Sequence, residues 1–213
     1  MKKKIKVCIV TGSRADYGIL SNLIKAFKKD RHFNLKIIAT GMHLSPLYGN
    51  TYKEIEEDGL KIDSKIKIID KTNTQVSVSQ SVGRGIDKFT TELKRLSPDI
   101  VLILGDRFET LSSAIPSMFL DIPIAHIHGG EVTEGAFDDS IRHSLTKMSH
   151  LHFAATEKYK KRIIQMGENP DNVFNVGSLS IDNIKNTKIL NRKTFFNCIG
   201  LVPKKKNYLV TFH

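Results

Sequence analysis

The sequence has no tryptophan, only two cysteines and only six prolines in 213 residues. Cys8 lies inside an apolar, strand-like run and Cys198 far from it, which excludes a disulfide-built scaffold. Long apolar runs are also missing. The basic N-terminus leads only into Ile5 to Val10 before Thr11-Gly12-Ser13-Arg14. That run is too short for the core of a secretory leader or for a membrane span, so a cytoplasmic protein without membrane attachment is expected. No internal repeat or low-complexity tract breaks the chain.

Acidic residues are the scarcer charge, 22 against 33 Lys and Arg, giving a formal net charge of +11. Such an excess invites a nucleic-acid partner. Much of it sits in Lys2-Lys3-Lys4 and Lys204-Lys205-Lys206, each directly ahead of an apolar run, where lysines solubilise a strand entrance. A cleft for a phosphate-bearing small molecule explains the remainder, and no nucleic-acid partner is expected.

What the sequence does have is alternation. Short, continuous apolar runs at Ile5–Thr11, Phe33–Thr40, Ile62–Ile69, Ile100–Gly105, Ile122–Ile127, His152–Ala155 and Val173–Val176 read as strands buried on both faces. Helical periodicity marks Tyr17–Lys28, Val76–Leu96, Thr110–Leu120, Ser140–Met148 and Tyr159–Met166. Strand and helix in turn mean right-handed crossovers and an α/β fold with a doubly wound, mostly parallel sheet. After a further helical stretch, Arg192–Leu201, a new strand is expected from Asn207 to His213. The chain then divides into a domain over 1–200 and, over 201–213, a linker and the first strand of a truncated second domain.

Chemistry gathers where the strands end. The run Val101–Leu104 stops at Gly105-Asp106-Arg107, and Ile122–Ile127 stops at His128-Gly129-Gly130-Glu131, so adjacent strand ends deliver ionisable side chains to one edge. Thr11-Gly12-Ser13-Arg14-Ala15-Asp16 opens a helix, where free amides and the Arg14 guanidinium suit a phosphate, while Ser13 or Asp16 can instead cap. The further glycines of a dinucleotide fingerprint are missing there, which disfavours NAD. His126 and His128 alternate along a strand and are expected on one face, with Glu131 reaching over from the loop. Their spacing matches no established zinc motif, so no metal is expected, and proton transfer or substrate hydrogen bonding is the better reading. Asp139, Arg142 and His143 stand at i, i+3 and i+4 of a helix whose positive end carries Asp138 and Asp139. Weaker signals are His43 in Thr40-Gly41-Met42-His43 and the small residues Gln80-Ser81-Val82-Gly83, which would admit a ligand or another backbone. His150 and His152 read as structural.

Taken in order, Val10–Gly18, Thr40–His43, Tyr48–Thr51, Gly105–Glu109, His126–Glu131 and Asp139–Met148 resemble the hydrolysing UDP-N-acetylglucosamine 2-epimerases of bacterial sialic-acid and legionaminic-acid type sugar synthesis. The resemblance implies a two-domain glycosyltransferase-B-type architecture with two Rossmann-like domains, a site in the crevice between them, and no cofactor. It implies a nucleotide-sugar substrate, elimination of the nucleotide, then hydration to the free 2-epimer of N-acetylmannosamine type. It also implies a homodimer in the full-length protein. Asp106 and Asp139 match the acid/base positions, and His213 matches a catalytic histidine at the entry to the second domain. His128, or Glu131 beside it, takes the part of a glutamate found in many relatives. Arg14, Asp16, His43, Arg107, Arg142 and His143 fall to substrate and nucleotide binding. With the second domain cut short, the 213 residues alone are expected not to turn over. Two competing functions are a glycosyltransferase of the same architecture, which would need an acceptor, and a non-catalytic nucleotide-sugar-binding domain.

Overall fold

A computed structural model describes residues 3–70, 74–133 and 137–211. The expected strand at the chain's end falls partly outside these residues, and so does His213. Strand β1 (Ile5–Thr11) leads into helix α1 (Arg14–Lys29), then β2 (Phe33–Thr40), α2 (Tyr52–Glu57), β3 (Ser64–Ile66) and α3 (Gln75–Leu96). There follow β4 (Ile100–Leu104), α4 (Phe108–Phe119), β5 (Ile124–Ile127), α5 (Asp138–Met148), β6 (Leu151–Ala154), α6 (Glu157–Gln165), β7 (Val173–Asn175), α7 (Leu179–Asn186) and α8 (Arg192–Cys198).

The strands form one sheet in the order β3-β2-β1-β4-β5-β6-β7, and every pairing is parallel. The chain therefore reverses its direction of travel between β1 and β4, and the loops after those two strands open side by side. Both faces are apolar because side chains alternate along a strand. Val7, Ile9, Leu102 and Leu104 pack on the face that α1 covers with Tyr17, Leu20 and Ile24. Cys8, Val10, Val101 and Ile103 pack on the other, against Phe89 and Leu93 of α3 and Leu145 of α5. Enclosure pushes the Cys8 thiol up to about 12, as expected of a thiol acting as a small hydrophobe.

Several expectations change. β3 is only Ser64–Ile66 rather than Ile62–Ile69, although Ile68 remains buried beyond its end. The close approach in α3 is at Gly85 rather than at the expected Gly83, and it is to a side chain of α4 rather than to another backbone. A Cβ on Gly85 would lie 2.6 Å from Ser112 Cβ of α4, whereas one on Gly83 would meet nothing within 4 Å. The expected strand from Asn207 is absent over 207–211. Tyr208, Leu209 and Val210 are 83%, 96% and 83% exposed, with no described strand beside them to accept a ladder. Toward β6, the α1 face of the sheet is covered less completely. An apolar cavity of about 580 Å³ opens there between Leu23 and Phe27 of α1 and Ala125, Ile127, Leu151 and Phe153 of the sheet.

Candidate active site

At the carboxyl edge of the sheet, the loops after β1 and β2 meet the β4–α4 segment, and the loops after β4 and β5 meet α5. Gly105 leaves β4 with φ +73°, a conformation that favours glycine, and beyond it Asp106 pairs with Arg142 while Arg107 pairs with Glu109. Two linked clusters result.

The first is built around Glu109, in the first turn of α4 and only 1% exposed. Arg107 holds it with Nη2 donating to Oε1 at 3.1 Å and Nε to Oε2 at 3.3 Å. Arg107 Nε is also 4.0 Å from Asp16 Oδ2. The Glu109 side chain fills the space that glycine leaves at Gly41: a Cβ there would stand 2.6 Å from Oε1 and 2.8 Å from the Gly12 carbonyl. Gly41 itself has φ +58°. Burial pushes the Glu109 and Asp16 carboxyls above their ordinary range, against the pull of Arg107 in both cases.

The loop after β1 is closed on itself. Ser13 caps α1 by accepting from the Asp16 amide at 3.3 Å, and Asp16 Oδ2 accepts from the Gly12 amide at 3.2 Å. Capping thus accounts for Ser13, and the Gly12 amide is already occupied. Arg14 stands at the rim, 76% exposed, with Nε 3.3 Å from Glu54 of α2. His43 is fully buried. Its Nε2 lies 3.0 Å from Thr11 Oγ1 and its Nδ1 2.8 Å from Thr51 Oγ1. With both nitrogens engaged it ties loops together rather than facing the cleft, and burial lowers its pKa to about 4.

The second cluster is built around Arg142 of α5, whose side chain is nearly buried. Its Nη2 donates to Asp106 Oδ2 and, at 3.1 Å, to Thr133 Oγ1, and its Nη1 donates to the His128 carbonyl at 3.0 Å. Glu131 Oε2 lies 3.7 Å from Nη1, and Glu131 Oε1 lies 3.3 Å from His128 Nδ1. Asp139 joins through Thr133: its Oδ1 accepts from the Thr133 amide at 3.3 Å, while Oδ2 stands 3.6 Å from His143 Nε2. Burial raises the Asp106 carboxyl, opposed by Arg142 and reinforced by Asp138. Asp106, His128, Glu131, Asp139, Arg142 and His143 are therefore brought together, with Arg107 next to them.

His126 is not where alternation would put it. β5 ends at Ile127 and His128 takes φ +63°, so the two histidines do not continue one face. His126 is fully buried beneath the turn, where its Nε2 donates to the Gly105 carbonyl at 2.7 Å, and burial lowers its pKa to about 3. His152 is likewise structural, 3.2 Å from Glu168. Glu109 was not singled out from the sequence. The signal for it lay in Gly12 and Gly41, whose missing side chains make room for it. Among the described residues, no cluster of three or more His, Cys, Asp or Glu side chains is arranged to hold a metal ion.

Comparison with known proteins identifies the family. Residues 25–213 match the family model described as UDP-N-acetylglucosamine 2-epimerase. A GDP/UDP-N,N'-diacetylbacillosamine 2-epimerase (hydrolyzing) from Campylobacter jejuni is 46% identical, covering 99% of this chain and 54% of that relative. A UDP-N,N'-diacetylbacillosamine 2-epimerase (hydrolyzing) from Legionella pneumophila is 41% identical, covering 98% and 55%. The chain spans about half the length of these curated relatives. Among solved structures, the UDP-GlcNAc 2-epimerase of Methanocaldococcus jannaschii in complex with UDP-GlcNAc and UDP superposes with a TM-score of 0.77 at 25% identity, over 92% of this chain and 54% of that one. By its sequence, its parallel sheet and the residues at the sheet's carboxyl edge, the chain belongs to the UDP-N-acetylglucosamine 2-epimerase family.

Proposed function

We propose that the protein is a cytoplasmic, hydrolysing 2-epimerase of a UDP-linked 2-acetamido sugar, releasing the free 2-epimer and UDP and working as a homodimer in its full-length form. The observation that carries this is the convergence of Asp106, His128, Glu131 and Asp139 around Arg142 at one sheet edge, in a chain 46% identical to a hydrolysing 2-epimerase. Among possible sugars, N,N'-diacetylbacillosamine is favoured, because the relatives at 46% and 41% identity carry that name. UDP-N-acetylglucosamine is the second substrate to test.

The overall reaction consumes only water and is redox-neutral, so it calls for proton transfer and charge stabilisation rather than a cofactor. In the first half the C2–H bond breaks, its electron pair forms C1=C2, and the C1–O bond to the diphosphate breaks. In the second half a proton reaches C2 from the opposite face and a water oxygen bonds to C1. Two proton-handling groups on different sides of the sugar are needed, and the cleft offers Asp106 from the end of β4, His128 and Glu131 from the loop after β5, and Asp139 from the start of α5. Arg107, oriented by Glu109, and Arg14 at the rim supply positive charge for the departing diphosphate. Arg142 and His143 line the sugar side, and His213 lies outside the described residues.

The test incubates the natural full-length protein with either UDP-sugar and no acceptor. UDP and a free 2-epimer should appear, faster from the diacetylbacillosamine substrate. Nucleotide release that requires an added acceptor would favour the transferase alternative instead.

A further inference from the structure

His128 and Glu131 are not equivalent. The backbone of His128 is pinned on both sides, its amide donating to the Phe153 carbonyl at 3.0 Å and its carbonyl accepting from Arg142 Nη1 at 3.0 Å. Its φ of +63° lies in a region that histidine tolerates better than most side chains. The glycines that follow leave no alternative path: a Cβ on Gly130 would meet the Tyr159 carbonyl at 2.6 Å. The ring is therefore aimed by the fold. Glu131 Oε1 stands 3.3 Å from Nδ1, and a carboxylate favours a proton on the nitrogen nearest it. A neutral ring with its proton on Nδ1 has a bare Nε2. That Nε2 is buried and has no partner among the described residues, a costly state for a polar atom unless a ligand completes it.

We propose that His128 and Glu131 form a proton-handling dyad, in which His128 Nε2 is the base that takes the C2 proton and Glu131 fixes the tautomer and stabilises the imidazolium. This rests on the epimerase reading above. The C2–H electron pair becomes the C1=C2 bond, the C1–O pair leaves with the diphosphate, and the proton on Nε2 passes to solvent as the nucleotide departs. Protonation of C2 from the opposite face is then left to a carboxylic acid, which recovers its proton from the adding water.

The charged and titratable groups around His128 are Glu131 on its own loop, Arg142 of α5 with Asp106 beyond it, and His126 of β5. Burial lowers the His128 pKa; Glu131 works against that and Arg142 with it, so the ring is in its base form at neutral pH.

The 213-residue chain carrying ¹⁵N-labelled histidine tests the tautomer without any turnover. The dyad predicts a His128 ring protonated at Nδ1, and a titration that moves to lower pH in Glu131→Gln. A ring protonated at Nε2, or a titration unmoved by Glu131→Gln, would overturn it. In the natural full-length protein, His128→Gln should lower kcat by roughly 100-fold or more with KM little changed. His128→Glu should restore part of the rate with the acid limb of the pH profile moved toward the carboxylate range. Undiminished UDP release in His128→Gln would also overturn the dyad. If the natural protein releases no nucleoside diphosphate from either sugar, UDP-linked or GDP-linked, the epimerase reading fails instead, whatever the tautomer.

Discussion

Around Glu109 the charged groups are matched: Arg107 faces Glu109 and Asp16, Asp16 accepts from the Gly12 amide, and both nitrogens of nearby His43 have hydroxyl partners. Around Arg142 they are not. His128 Nε2, Arg142 Nε and His143 Nδ1 are all buried without a partner among the described residues. The two clusters sit side by side on one sheet edge, and they differ in how fully their polar atoms are paired. The first is complete without a ligand and holds Arg107 in place. The second has buried polar atoms that no group among the described residues satisfies.

The sharpest way to break that contrast is to change the acids of the open cluster. Asp139→Asn or Asp106→Asn in the natural full-length protein keeps size but removes a carboxyl that can carry a proton, so turnover should fall by roughly 100-fold or more. Thermal unfolding should show the fold intact. Retention of near-full activity in both variants would move the chemistry elsewhere.

Next in size is a pH effect belonging to the closed cluster. His43 has a folded pKa of about 4 against an ordinary value of 6.5. Between those values the unfolded chain binds the extra proton, so stability is lost as pH falls from 6.5 toward 4, by about 3 kcal/mol in total from this residue. Urea unfolding of the 213-residue chain across this range should show the loss, and His43→Gln should make it shallower, the part from His126 remaining. A His43→Gln profile as steep as the parent's would contradict the enclosed placement of this ring.

Glycine substitutions sharpen the comparison further. Gly41→Ala must accept φ +58° and a Cβ 2.6 Å from Glu109, so it should destabilise by about 2–3 kcal/mol through strain and displacement of that carboxylate. Gly105→Ala has the same kind of φ, +73°, but nothing within 4 Å of the added Cβ. Backbone strain alone, about 1 kcal/mol, is expected there. Equal losses by urea unfolding would mean that Glu109 is not wedged between the glycines.

The strands were legible because a parallel strand buried on both faces is a short, uninterrupted apolar run. β1 and β2 match their expected bounds, while β3 shrinks where Lys65 and Lys67 interrupt the pattern. α2 carries no such signal: its six residues bury only Ile55. The strand ends were legible as the place where ionisable side chains gather, since Gly105-Asp106-Arg107 and His128 to Glu131 do converge. What one sequence does not reveal is which polar groups consume one another. His43 and Asp16 show no sign in the sequence of the hydroxyl and amide partners they have in the fold, and His126 reads as a neighbour of His128 on one face although the strand ends at Ile127. Glu109 was hidden for the converse reason, because an acid in a helix's first turn has an ordinary explanation in the helix dipole.

The central claim is proton exchange at C2, and one measurement addresses it directly. The natural full-length protein is supplied with UDP-N,N'-diacetylbacillosamine or UDP-N-acetylglucosamine in deuterated water, and the released sugar is read by NMR. Removal of the C2 proton and return of another from solvent predict a free 2-epimer carrying deuterium at C2. A released sugar that keeps hydrogen at C2 and its original configuration would contradict the account.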